Sequence, residues 1–179
     1  MAIKKQITFE GTTYNLDNKD RVAAAAAQQS TLNVQSLTTA TYTVTAEQSG
    51  TIFTFNRAAG VVVTLPAASV GLNFEFYVET ALTSNAYTIN ADSTSDTLTG
   101  MVMSWDIADV GTMTKMNEAV ATVAWSNPAA ADHQFVTNKT TTGGLAGTYL
   151  KYTCITDALW HIEGYTFCSS GASIATPFT

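Results

Sequence analysis

From Thr41 onward the chain keeps a side-chain period of two. In LNFEFYVE, Phe74, Phe76 and Val78 fall on one side of an extended backbone and Glu75, Tyr77 and Glu79 on the other, the pattern of a strand with one face in a core and one in water. The pattern begins with Tyr42, Val44 and Ala46 opposed to Thr43, Thr45 and Glu47. It continues through TIFTFN, AYTINA, the set Met101, Met103 and Trp105, then AVATVAW and the pair TYLKYTCI and LWHIEGYTF. A helix would scatter these apolar positions around its circumference, so the alternation commits this part of the chain to strands. Gln48-Ser49-Gly50, Ala58-Ala59-Gly60, Gly71 and Thr156-Asp157-Ala158 supply turns, and Pro66 ends the run VVVTL. That run is nearly all apolar and predicts a strand covered on both faces. Six to ten short strands separated by glycine-containing turns, with no intervening helical periods, predict an all-β fold, a β-sandwich or jelly-roll-like barrel.

Composition points the same way. The chain of 179 residues has 31 Thr and 12 Ser but only 12% charged residues, so uncharged hydroxyls replace charges on the surface. Thr is β-branched and suits a half-exposed pleated sheet. A net charge of −6 with eight basic residues excludes a nucleic-acid backbone as partner, because neutralising phosphates takes clustered Lys and Arg. There is no signal-peptide pattern after Lys5 and no run of about 18 apolar residues, so synthesis in the cytosol and no membrane partner are expected. Cys154 and Cys168 are too few for a disulfide framework and are expected as buried thiols.

The first forty residues differ from the rest. QITFEGTTYNL predicts a small hairpin turning at Glu10-Gly11, too short to stand alone. Asp17 or Asn18 then offers a cap to a helix carrying Ala23–Ala27. With almost no large apolar side chain, that helix must order against something else. Lys4, Lys5, Lys19 and Arg21 outweigh Glu10, Asp17 and Asp20 here, leaving the remainder acidic. The expected organisation is an attachment arm over 1–40 and a β body over 41–179. Ile3, Lys4, Lys5, Ile7, Phe9, Tyr14, Leu16 and Arg21 are the candidate partner-binding residues of the arm.

Catalytic and metal chemistry find little support. His161 lies between Cys154 and Cys168, but three ligands without a close pair do not make a zinc motif. Across a hairpin with a two-residue turn, Cys154 and His161 would be neighbours, yet no nucleophile elbow, P-loop or dinucleotide glycine pattern accompanies them. His133 stands alone in a loop. Asp92, Asp96, Asp106 and Asp109 match no calcium loop and are read as solvated acids. Met101, Met103, Met113 and Met116 are read as core or subunit interface, and KTTTGGLAG as a flexible loop. No catalytic residue, metal ligand or cofactor is assigned.

The stretch YTVTAEQSGTIFTFNRAAGVVVTLPAASVGLNFEFYVE resembles a pattern of tailed-bacteriophage virion structural proteins: a strand, a Ser-Gly turn, a valine-rich strand ending in Leu-Pro, and a Gly-Leu-aromatic strand. AYTINADSTSDTLTG and GTYLKYTCITDALWHIEG are similar to its continuation, so the resemblance covers roughly residues 41–106 and 147–165. In such β-rich domains Phe74, Phe76 and Trp160 would fill the space between sheets. The resemblance implies a non-enzymatic accessory protein of the head decoration or head fibre type. The leading expectation is a decoration (cement) protein on the virion capsid surface, made in the host cytoplasm, forming a homotrimer and bridging major capsid protein subunits. The alternative it implies is a head- or tail-fibre receptor-binding domain, with loops near Trp125 or Thr140–Gly144 contacting host glycans.

Overall fold

The structure is a computed structural model that describes residues 5–9, 12–16, 32–107, 123–169 and 174–179. The chain divides into two units, Met1–Leu32 and Asn33–Thr179. In the first, β1 (Lys5–Phe9) and β2 (Thr12–Leu16) form the antiparallel pair expected there, with Ile7 in register with Tyr14 and Lys5 with Leu16. The alanine-rich helix expected after it lies outside the described residues.

The second unit is all-β and sandwich-like, with two mixed sheets. One contains β3 (Val34–Leu37), β5 (Ile52–Phe55), β7 (Asn73–Val78), β9 (Thr97–Asp106), β10 (Val123–Ser126), β12 (Tyr149–Thr156) and β13 (Leu159–Cys168). Their order is β10-β9-β13-β12-β7-β5-β3. The other contains β4 (Thr41–Thr43), β6 (Val61–Thr64), β8 (Tyr87–Asn90) and β11 (Gln134–Val136), ordered β11-β8-β6-β4. The described residues thus hold more strands than the six to ten expected.

From β3 to β9 successive strands alternate between the sheets, and each of β3 to β6 pairs in parallel with the strand two places on. The chain therefore winds as a short coil before a hairpin closes it. In that hairpin β12 lies antiparallel to both β7 and β13, while β13 runs parallel to β9. The turns of the coil are local: a single turn of 3-10 helix, Ala46–Gln48, follows β4, and the Gly60 N–H closes onto the Arg57 carbonyl at 3.0 Å. At the first coil, Gln35 on β3 and Gln48 both donate to the Tyr42 hydroxyl on β4, at 2.6 and 2.7 Å.

The core follows the alternation. Phe53, Phe55, Phe74, Phe76, Val78, Tyr87, Ile89, Tyr152 and Trp160 are all buried, each such side chain contributing roughly 1.5–3 kcal/mol by leaving water. Their rings pack in offset and edge-on contacts. Phe53 and Phe76 stack at 5.4 Å, Phe76 meets Tyr152 edge-on at 5.6 Å, and Phe74 lies 5.9 Å from Trp160. Phe55 stacks on Tyr87 at 4.6 Å, which joins the two sheets. The Tyr87 hydroxyl reaches the Thr80 carbonyl at 2.6 Å, so this buried phenol is satisfied, and burial raises its pKa.

Several expectations are corrected. VVVTL is covered on one face only: Val61 and Val63 are buried while Val62 is 40% exposed. The body starts at Asn33, before Thr41, because β3 pairs with β5 at the sheet edge. Only Leu37 of β3 is fully buried, so its alternation is faint. The C-terminal residues return along β11, with Phe178 buried and bridging Phe135. The segment Lys139–Gly147 is tied down. Asn138 Oδ1 accepts from the Thr141 and Thr142 N–H groups at 2.8 and 3.0 Å, and the Leu82 N–H donates to the Gly144 carbonyl at 2.9 Å.

Candidate functional site: the outward face of the seven-stranded sheet

Because side chains alternate along every strand, the seven-stranded sheet presents a second set of residues away from the core. Strand register decides which of these become neighbours. Trp125 on β10 pairs with Met103 on β9, Met103 with Tyr165 on β13, Tyr165 with Tyr149 on β12, and Tyr149 with Tyr77 on β7. Five outward side chains from five strands therefore form one transverse row. Trp125 is 60% exposed, Tyr77 40% and Tyr165 37%, while Met103 and Tyr149 are half-buried between them.

The row is wider than one residue near β13. Tyr165 meets Phe167 edge-on at 5.6 Å and lies 5.9 Å from Tyr149, and Phe167 is in register with Trp105, itself in register with exposed Val123. A parallel row on the other side is charged: Glu163, Lys151 and Glu75 are in register on β13, β12 and β7, and Lys151 Nζ lies 3.2 Å from Glu163. Partial burial and a hydrogen bond donated to Glu75 push the Tyr149 phenol up to about 12. The face thus offers neutral rings flanked on one edge by hydrogen-bonding groups.

The residues weighed above for catalytic or metal chemistry are not gathered among the described residues. A regular ladder with a two-residue turn would set Cys154 against His161. The register shifts between Cys154 and Thr156, so Cys154 faces Trp160 and His161 faces Thr153. One inserted residue moves the neighbours to opposite faces. Cys154 and Cys168 are buried free thiols as expected. Burial, then the nearby Asp106 carboxylate, raises Cys168 to about 11, far from the thiolate a nucleophile needs. His133 Nδ1 lies 3.2 Å from the Ala131 carbonyl.

Asp96 and Asp106 are buried and not solvated, Asp96 accepting from the Ala68 N–H at 3.4 Å, whereas Asp92 is exposed. Among the described residues no three His, Cys, Asp or Glu side chains come together to hold a metal ion. Met101 and Met103 point outward, which excludes the core role for them; Asp109, Met113 and Met116 lie outside the described residues. An open depression beside Gly60 is lined by Arg57, Val62, Asn85 and Thr88 and has no acid, His or Cys in its wall.

Of the arm residues, Lys5, Ile7 and Phe9 lie on β1 and Tyr14 and Leu16 on β2, while Ile3, Lys4 and Arg21 lie outside the described residues. The glycan-contact expectation named loops near Trp125; Trp125 itself stands on β10, an edge strand, where the alternation of AVATVAW puts a strand. Of Thr140–Gly144, Thr140 is exposed while Thr142, Gly143 and Gly144 are buried, and a side chain at Gly143 would collide with Thr166. The outward aromatic row itself is invisible to local pattern, because its members are spread from residue 77 to residue 165. The chain matches no family model, no curated protein and no solved structure.

Proposed function

We propose that this chain is a non-enzymatic structural protein of a tailed-phage particle, a decoration (cement) protein attached to the outer surface of the head through its N-terminal unit. The observation that carries this reading is the division of the chain. Among the described residues the core cluster of the body runs from Leu37 to Phe178, and Met1–Leu32 forms a separate contact unit, which supports reading that unit as the attachment arm. The sequence resemblance to head decoration and head fibre proteins supplies the kind of partner, the major capsid protein, and the expectation of a homotrimer that follows the symmetry of the lattice.

In this reading the unit Met1–Leu32 supplies apolar side chains, Ile3, Ile7, Phe9, Tyr14 and Leu16, together with Lys4, Lys5 and Arg21. These bury against more than one capsid subunit. Bridging raises the work of separating the capsid subunits it spans.

The test is deletion of residues 1–32. The expected product keeps a β-type circular dichroism spectrum and a melting temperature within a few degrees of the full chain, but no longer binds heads stripped of decoration. Binding of the truncated protein with unchanged affinity would overturn the reading, as would its location on the tail by electron microscopy.

A further inference from the structure

We infer that the row Trp125, Met103, Tyr165, Tyr149 and Tyr77 is a binding face for an extended, uncharged, β-linked glycan chain. The inference does not depend on where the protein is attached. Its first ground is spacing. Neighbouring strands lie about 4.8 Å apart, so the three exposed rings, on alternate strands β10, β13 and β7, recur at about 10 Å. Two sugar rings of an extended β-linked chain have roughly that repeat, so every second sugar meets a ring.

The second ground is the chemistry of the faces. A β-linked pyranose with equatorial substituents carries its C–H bonds on its two flat sides and its hydroxyls around the rim. C–H groups fit the electron-rich face of an aromatic ring, while the rim hydroxyls need donors and acceptors beside it. The flanking Glu163, Lys151 and Glu75 provide these along one side of the row. Tyr149 adds a phenol that donates to Glu75.

Charge narrows the ligand further. Two carboxylates and one ammonium border the row, and the whole chain carries −6, so an anionic polymer is repelled and a neutral one is not. A sheet twists by about 20° per strand, so the rings climb as a ramp. A single soluble chain can turn with that ramp, which makes soluble oligosaccharides the right probes.

The experiment titrates the full-length protein by calorimetry with the β-1,4-linked hexamer of N-acetylglucosamine and with cellohexaose. Their disaccharides serve as short probes, and maltohexaose, whose α-linkages coil the chain, is the control. At least one β-linked hexamer is expected to bind about tenfold or more tighter than its disaccharide, because only the hexamer spans all three rings, and maltohexaose is not expected to bind. Trp125→Ala and Tyr77→Ala should each weaken the hexamer about tenfold with unchanged melting temperatures. Ile155→Ala, exposed on the same sheet but off the row, should leave binding unchanged.

Failure of both β-linked hexamers to bind overturns the inference, and so does binding that Trp125→Ala and Tyr77→Ala leave intact. Light scattering supplies a further decisive outcome. An oligomer that refuses both hexamers and falls apart on Trp125→Ala would make the row a contact between copies of this chain instead.

Discussion

The two faces of the seven-stranded sheet carry aromatic side chains in comparable numbers, yet they stand in different physical situations. On the inner face Phe53, Phe74, Phe76, Tyr152 and Trp160 are shut away from water and touch one another. On the outer face Trp125, Tyr165 and Tyr77 keep more than a third of their surface in water. Inner rings are accounted for by the fold, since their burial offsets the conformational entropy of ordering the chain. Outer rings gain little for the folded state, and a Thr-rich chain had polar β-formers to place there. The difference identifies the outer row as the part whose presence the fold does not require.

The sharpest way to break this comparison uses two adjacent residues of β7. Phe76→Ala removes a ring stacked on Phe53 and edge-on to Tyr152, and should cost about 3–5 kcal/mol of unfolding free energy. Tyr77→Ala, one residue on and on the other face, should stay within about 0.5 kcal/mol. Urea unfolding measures both. Comparable losses would show that the outer row is part of the stabilising structure, and the distinction between the faces would fall.

A smaller effect is expected where the inner face turns polar. Under the segment after β11 the sheet interior is lined by Ser104, Thr148 and Thr166, all buried. Gly143 lies against Thr166 with φ near 98°, where an added Cβ would meet both the Thr166 hydroxyl oxygen and its Cβ. Gly71 has a similar φ of 94° but open space around it. Gly143→Ala should therefore cost about 2 kcal/mol or more and Gly71→Ala about 1 kcal/mol, the latter from backbone strain alone. Equal losses would mean that the loop over Thr166 gives way readily, as its composition alone suggests.

How much of this was legible without coordinates depends on the kind of information each feature needs. Alternation is local, so Phe74, Phe76, Val78, Tyr87 and Ile89 are placed inward by sequence alone and the structure agrees. Which strand lies beside which is not local. β3, β5 and β7 pair in parallel although other strands intervene in the chain, and a period of two says nothing about partners. The Cys154 and His161 expectation failed on a single bulge, a feature with no glycine or proline to announce it. The outer row needed the register of four strand pairs before Trp125 and Tyr77 could be put on one line.

A third effect has the opposite sign. The Tyr152 hydroxyl is buried and has no hydrogen-bond partner among the described residues, and burial raises its pKa well above the ordinary value. Tyr152→Phe removes the unsatisfied group and keeps the ring against Phe76. It should stabilise the protein by about 1 kcal/mol, since a buried donor without a partner costs that much or more. A loss of stability would indicate that the hydroxyl is satisfied by a buried water, and that the inner face is less dry than its rings imply.

The smallest effect separates Tyr149, on the outer face of β12, from Tyr152 on its inner face. Tyr149 is held up to about 12, by partial burial first and by its hydrogen bond to Glu75 second, against an ordinary value near 10. The unfolded chain therefore releases this proton at lower pH than the folded one. Stability from this group is complete below about pH 10 and is lost as pH climbs toward 12. Tyr149→Phe has no such proton, so between pH 9 and 11.5 its melting temperature should fall less steeply than that of the parent protein. Part of the slope should remain, because Tyr87 and Tyr152 are also raised by burial. At neutral pH the variant should differ little from the parent, its hydrogen bond being half open to water. Parallel slopes would show that the phenol is not held by Glu75, and the polar edge proposed for the glycan face would lose one of its members.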